Sequence, residues 1–394
     1  MAAKKSNGKQ RSIEQLRSCV WAIRDALNDF LVEREEAVEA HLCAFVCQEH
    51  IVTESVPGTA KSLLCDAINQ CVTGGEYTRK LMHKFETADG LIGPMDLGHF
   101  KSHNVYRRVL GGGAAAATGL FLDEIFKSNS AVLNTLLTLL EERQYSDQGN
   151  GTVNVPLRFC CSASNEFPQE EILAALYDRF LFRNQVQSIQ SEDNLVKLIL
   201  SRVSKRKAAQ KFAPPCTITV EEWDRIRDSV EDVVVSEALV RKYAEFKRLL
   251  DAEGIVISDR RSVKLWLGVK AAAWLDGDTE ATVDHLHVLR FICWHTPEQR
   301  EKVLAACNKL DKSATKAALD EIDAALRTYR SLPTETSARD AALGPTLTLI
   351  TKTGKAISAK RKAGAFGKRA AEKIGRRMAE LQAAYKDLEN QVRI

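Results

Sequence analysis

Nine residues constrain this chain more than any others: Glu54-Ser55-Val56-Pro57-Gly58-Thr59-Ala60-Lys61-Ser62, a glycine-bearing turn that ends on a lysine and a hydroxyl. The β-prone stretch HIVTESV (residues 50–56) leads into it, and Ser62–Ile68 leaves it with helical apolar spacing. A strand–turn–helix path of this kind aims helix N–H groups and the positive end of the dipole at one point, where phosphate binds. The general pattern G-x-x-x-x-G-K-[ST] would place glycines at 55 and 60, where this chain has Ser55 and Ala60. Only Gly58 supplies glycine's conformational freedom. Ala60 is therefore expected to keep a negative φ. The competing reading is an ordinary Pro-Gly turn with an incidental lysine.

About sixty residues on, Gly119-Leu120-Phe121-Leu122-Asp123-Glu124 reads as a strand buried on both faces that ends in two carboxylates. A nucleoside triphosphate needs both halves. Residues Ser55–Leu63 with Lys61 would hold the phosphates, Ser62 and Asp123 the Mg²⁺, and Glu124 would orient or deprotonate the attacking water. These residues point to ATP hydrolysis. A second apolar run, 157–163, ends in Ser164-Asn165-Glu166, where Asn165 suits water positioning. A third places Asp178, Arg179 and Arg183 around a helix end and the strand that follows. Arg179 could stabilise transition-state charge in cis or across a subunit boundary; the plainer reading is an ion pair with Asp178.

Together these segments resemble the MoxR family of AAA+ ATPases, most closely its RavA-like branch. The resemblance spans roughly residues 30–300. It is carried by Pro57-Gly58-Thr59-Ala60-Lys61-Ser62, Phe121-Leu122-Asp123-Glu124-Ile125, Leu133–Leu137 with Glu141-Glu142-Arg143, Ala163–Glu166, Ala175–Arg179 and Ser258-Asp259-Arg260-Arg261. The resemblance implies an α/β fold: a doubly wound parallel-sheet AAA+ domain, an all-helical lid, and here a C-terminal, mostly helical basic region. It makes Asn165 the first sensor, Arg179 an arginine finger reaching a neighbour's site, and Arg260 the lid sensor with Arg261 its close competitor. It also implies a homo-oligomeric ring, a hexamer, that remodels a client protein with a separate von Willebrand factor A domain partner. Residues 85–110 resemble the family's insertion in its second helix, and 143–156 the hairpin before the first sensor strand. The glycine–alanine tract Gly111–Ala117 departs from relatives and reads as a mobile loop facing the central channel.

Breaks in the pattern suggest boundaries: an N-terminal segment (1–30), the ATPase domain (31–190), a linker (191–220) marked by Ala213-Pro214-Pro215, the lid (221–300) and the C-terminal region (301–394). In the last region residues 300–330 and 366–392 read as helices. Thr346–Ile350 and Ala356-Ile357, around Thr353-Gly354, suggest a hairpin. Ten Lys/Arg and one acid, Glu372, lie between Lys352 and Arg377. This run suits nucleic acid or an acidic partner, which supports an alternative reading as a nucleic-acid-stimulated motor. The favoured reading is a solvated helix face, because net charge is only +4 and no aromatic interleaving suited to base stacking appears.

With 394 residues, 45% hydrophobic and 27% charged, the chain can build two or three cores. No run of eighteen apolar residues and no secretory leader is present, which suggests a cytoplasmic protein. Ten cysteines without paired spacing read as reduced thiols. His41, Cys43, Cys47 and His50 raise the thought of zinc, but burial in the core is the favoured reading. Asp311-Lys312-Ser313-Ala314-Thr315 approximates the partner's metal signature without following a strand, so the partner domain is read as not fused.

Overall fold

The computed structural model describes residues 10–147, 149–165, 171–203, 211–310, 314–333, 336–362 and 368–392. Five strands, β1 (Ile51–Ser55), β2 (Tyr77–Leu81), β3 (Gly119–Asp123), β4 (Phe159–Ser164) and β5 (Phe182–Val186), lie in the order β2-β3-β4-β1-β5, all parallel. β1 sits between β4 and β5, with Ile51 opposite both Cys161 and Phe182. The tips of β1, β3 and β4 therefore share one edge, where open α/β sheets bind ligands.

Both sheet faces are covered, which explains why the inner strands read as continuous apolar runs. Ile51, Phe121, Phe159 and Cys161 pack toward α1 (Ile13–Phe30), α2 (Glu35–Val46) and α3 (Lys61–Gln70). Their chain neighbours Val52, Leu120, Leu122 and Cys160 pack on the other face. There they meet Leu133, Leu136 and Leu140 of α4 (Ser130–Glu141) and Leu176 of α5 (Glu171–Arg179). The first face continues into a helical layer: α7 (Val220–Glu231), α8 (Glu237–Ala252), α9 (Asp259–Asp276) and α10 (Pro297–Leu310), which follow α6 (Glu192–Val203). Trp223, Phe246, Trp274 and Trp294 from this layer join the same core. This is the α/β domain with helical lid implied by the sequence.

Four expectations are corrected. Cys19 of α1 and Cys216, ahead of α7, form a disulfide, so not all ten cysteines are thiols. They lie 197 residues apart in sequence, beyond the reach of any spacing argument. The glycine–alanine tract is not a free loop, because Ala114, Ala115 and Ala117 are buried against Leu91 and Ile92. Thr346–Ile357 forms no hairpin. It lies inside α12 (Thr336–Lys362), which packs with α11 (Ala314–Arg330) and α13 (Lys368–Val392). Leu343, Ile350 and Ile357 recur every seven residues on the buried side of α12, a stripe that outweighs the turn signals of Pro345 and Gly354. The fourth correction, at Ala60, belongs to the site below. The partner-type signature at 311–315 begins outside the described residues.

The 143–156 segment contains a hairpin, Gln144–Asp147 against Gly151–Asn154. The 85–110 segment carries two short helices, Ala88–Leu91 and Leu97–His103, and exposes Phe85, Leu97 and Val109. Among the described residues, no helix is long and apolar enough to cross a membrane.

Candidate active site

The turn after β1 is held by its own side chains. Ser55 ends the strand in extended conformation, so it needs none of glycine's freedom. Its hydroxyl lies 2.5 Å from that of Thr59, which in turn donates to the Val56 carbonyl at 3.0 Å. Gly58 takes a φ of 83°, and an added Cβ would meet nothing within 4 Å. Ala60 adopts a φ of 69°, contrary to the expectation of a negative value. The left-handed conformation costs a non-glycine residue about 1–2 kcal/mol, so the loop holds Ala60 there against its local preference.

Ala60 is also the N-cap of α3, and no side chain caps that helix. By contrast α1 and α7 carry full capping boxes at Ser12 and Thr219. The N–H groups that open α3 thus remain available to an anion. Thr59 accepts a hydrogen bond from Arg34 Nε on its carbonyl at 3.2 Å, which ties the loop to the start of α2.

Lys61 bridges the strand tips. Its Nζ donates to the carbonyls of Ser55 (2.8 Å) and Ser164 (3.3 Å) and to Asn165 Oδ1 (2.6 Å). Asn165 Nδ2 donates in turn to Glu124 Oε1, and Lys127 lies 3.3 Å from the other carboxylate oxygen. Burial lowers the Lys61 pKa, against the opposing pull of Glu124, Asp123 and Glu54. Glu124 stands just past β3 with a φ of 55°, a turn that carries its carboxylate beside Asn165. The structure so brings together Lys61, Glu124 and Asn165, with Asp123 ending β3 and Ser62 in the first turn of α3.

The arginines divide sharply. Arg179, at the end of α5, and Arg260, in the first turn of α9, both pair with Glu141 at the end of α4. Asp178 is not the partner of Arg179; it is engaged by Arg183 and Arg261. Arg261 is buried and donates to the carbonyls of Leu181 (2.7 Å), Ile292 (2.9 Å) and Phe180 (3.2 Å). Arg183 is fully buried, bonds the Trp294 carbonyl and stacks 4.3 Å from the Tyr177 ring centroid. Both rivet the lid to the sheet.

Two polar residues escaped the reading of the sequence. Arg34 sits far from the loop in the chain and gave no local signal. Glu54 did give one, being the charged residue of the otherwise uncharged strand β1. Burial raises its pKa to about 7, despite the nearby Lys61, and its Oε2 has no hydrogen-bond partner.

Comparison with known proteins gives a consistent result. Residues 16–226 match the family model described as a MoxR domain in the MoxR-vWA-beta-propeller ternary systems, and residues 238–306 match an AAA lid domain. Two uncharacterized proteins of Methanocaldococcus jannaschii are similar. MJ0079 is 38% identical over 69% of this chain and 69% of its own length, and MJ0812 is 36% identical over 76% and 78%. The chaperone MoxR1 of Mycobacterium tuberculosis is 25% identical over 62% of this chain and 64% of its own length. A crystal structure from Cytophaga hutchinsonii, described as a candidate ATPase, shares the fold. Its TM-score is 0.61 at 19% identity, over 75% of this chain and 96% of that one.

Proposed function

The chain belongs to the MoxR family of AAA+ ATPases, and on that premise we propose that it hydrolyses ATP in an oligomeric ring to remodel a client protein. The observation that carries the reading is the Lys61–Asn165–Glu124 chain of hydrogen bonds beside an uncapped helix start. In this proposal residues Ser55–Leu63 wrap the phosphates and Lys61 exchanges its protein acceptors for phosphate oxygens. Ser62 and Asp123 would hold Mg²⁺, which when bound neutralises charge on the phosphates. Glu124 takes the proton of the attacking water, and Asn165 fixes where that water sits.

Arg179 and Arg260 form one cationic fork, because a single carboxylate holds both. We assign the fork to the γ-phosphate of a neighbouring protomer, with hexameric closure, and place the chain near the RavA-like branch on its motifs. The family description supports a separate von Willebrand factor A domain partner, with a β-propeller protein as third component. A cytoplasmic setting accords with the eight free cysteines but not with the Cys19–Cys216 disulfide. In the basic stretch that would serve a nucleic-acid motor, Arg377 is paired with Asp323 and Glu380 of the bundle.

A mixing experiment tests the shared site. Arg179→Ala keeps its own Lys61 and Glu124, while Glu124→Gln keeps its arginine, so mixed rings should regain turnover that neither variant shows alone. Mixed assembly without such rescue would confine Arg179 to its own subunit.

A further inference from the structure

We propose that His41, Cys65 and Cys161 form a buried zinc site beneath the phosphate-binding helix. The three residues come from three elements: α2, the second turn of α3, and β4. They are 1%, 1% and 0% exposed, and their donor atoms all lie within 4.8 Å of one another. No single stretch of sequence contains the set. The fold assembles it where α2 and α3 press on the sheet.

The histidine is already oriented as a ligand. Its Nδ1 lies 2.8 Å from the Ala37 carbonyl, which can only accept, so Nδ1 carries the proton. Nε2 is then the bare lone pair, and it faces the Cys65 sulfur at 3.9 Å and the Thr53 hydroxyl at 3.3 Å. A backbone carbonyl that fixes the tautomer in this way is the usual outer support of a metal-bound histidine. Tetrahedral zinc with ordinary Zn–S and Zn–N lengths sets sulfur and nitrogen about 3.6 Å apart. The His41–Cys65 pair meets that spacing after a contraction of a few tenths of an ångström, and every pair among the three donors starts within 4.8 Å.

Charge selects the ion. Zinc displaces one proton from each thiol, and the two thiolates then neutralise the dication. A neutral complex is what an apolar layer tolerates, because an uncompensated buried charge is costly. A cuprous ion on the same thiolates would leave a net negative charge. Soft sulfur and imidazole donors also disfavour magnesium and calcium.

The other cysteines and histidine near His41 are differently employed. Cys47 donates its S–H to the Cys43 carbonyl at 3.0 Å. His50 accepts the Cys160 N–H at 3.1 Å and meets the Leu140 carbonyl at 3.0 Å. They supply the controls. Cys65 follows Lys61 by one turn, and Cys161 lies in the strand that ends just before Asn165. The ion would therefore clamp the helix of the phosphate loop to the strand that delivers Asn165.

The test uses the full chain, prepared without a histidine tag from zinc-supplemented cells and dialysed against a weak chelator. Elemental analysis should find one zinc per chain in the wild type and in Cys47→Ser, and almost none in Cys65→Ser or Cys161→Ser. Reduced wild type refolded with Co(II) should show a near-ultraviolet thiolate-to-cobalt charge-transfer band with visible bands of a tetrahedral ion. That spectrum decides the matter even if the cysteine variants fail to fold. Zinc-free wild type that also gives no cobalt spectrum would overturn the site. So would zinc retained in full by both cysteine variants, or stoichiometric copper in its place.

Discussion

At the strand tips, charge is left open; at the junction between sheet and lid, it is closed. Lys61, Asn165 and Glu124 form a half-buried chain whose partners can be exchanged for a ligand's oxygens. Arg183 and Arg261, only a few residues or a single residue from Arg179 and Arg260, are buried against carbonyls, Asp178 and an aromatic face. The same residue type thus serves opposite ends according to burial. Arg260 is 64% exposed at its side chain and Arg261 4%. An arginine available to a neighbour is one whose only tie can be broken without uncovering backbone.

The largest effect that would sharpen this contrast lies at Arg261. Its replacement by alanine should cost about 3–5 kcal/mol in chemical denaturation, as removing one member of a buried ion pair does. Arg260→Ala, losing an exposed pair, should cost about 1 kcal/mol or less. Equal losses would break the distinction.

A smaller effect concerns Glu54, a strand-tip carboxylate whose pKa burial raises to about 7. Between the ordinary value of 4.5 and that figure the folded chain binds more protons than the unfolded chain. Stability should therefore fall as pH rises through 7. Glu54→Gln should flatten that fall in thermal melts taken across the range. An unchanged slope would show that Glu54 is not its source.

The smallest effect is expected from the C-terminal bundle. Chains ending at residue 310 lose α11, α12 and α13 together, with their shared core, and should bind ATP as the intact chain does. A cut at 345 would instead split α12 and bare the faces around Ala318 and Ile322, so this version should aggregate. Loss of nucleotide binding in the 310 chain would make the bundle part of the catalytic body.

Legibility followed the range of the forces involved. β3, β4 and the helix after the loop were readable because burial on two faces or one writes itself into local apolar spacing. So were the places of Glu124 and Asn165, just past the ends of those strands, and of Lys61, which opens the helix. Ala60 was misread because its left-handed φ is imposed by surrounding contacts and not by its own preference. Cys19–Cys216 and the cluster at His41 join residues distant in sequence, so their partners could not be read. The hairpin expected around Thr353-Gly354 gives way in α12 to a seven-residue apolar stripe. That stripe was present at Leu343, Ile350 and Ile357 all along.

The central claim is that the open chain of charge at the strand tips hydrolyses ATP. Glu124→Gln tests it most directly, with calorimetric ATP binding and steady-state turnover measured on the same preparation. The account predicts binding near the wild-type affinity and turnover reduced by about 10²–10⁴-fold, the contribution of a positioned general base. Lys61→Ala, run beside it, should lose the binding itself. Turnover by Glu124→Gln at the wild-type rate would contradict the account.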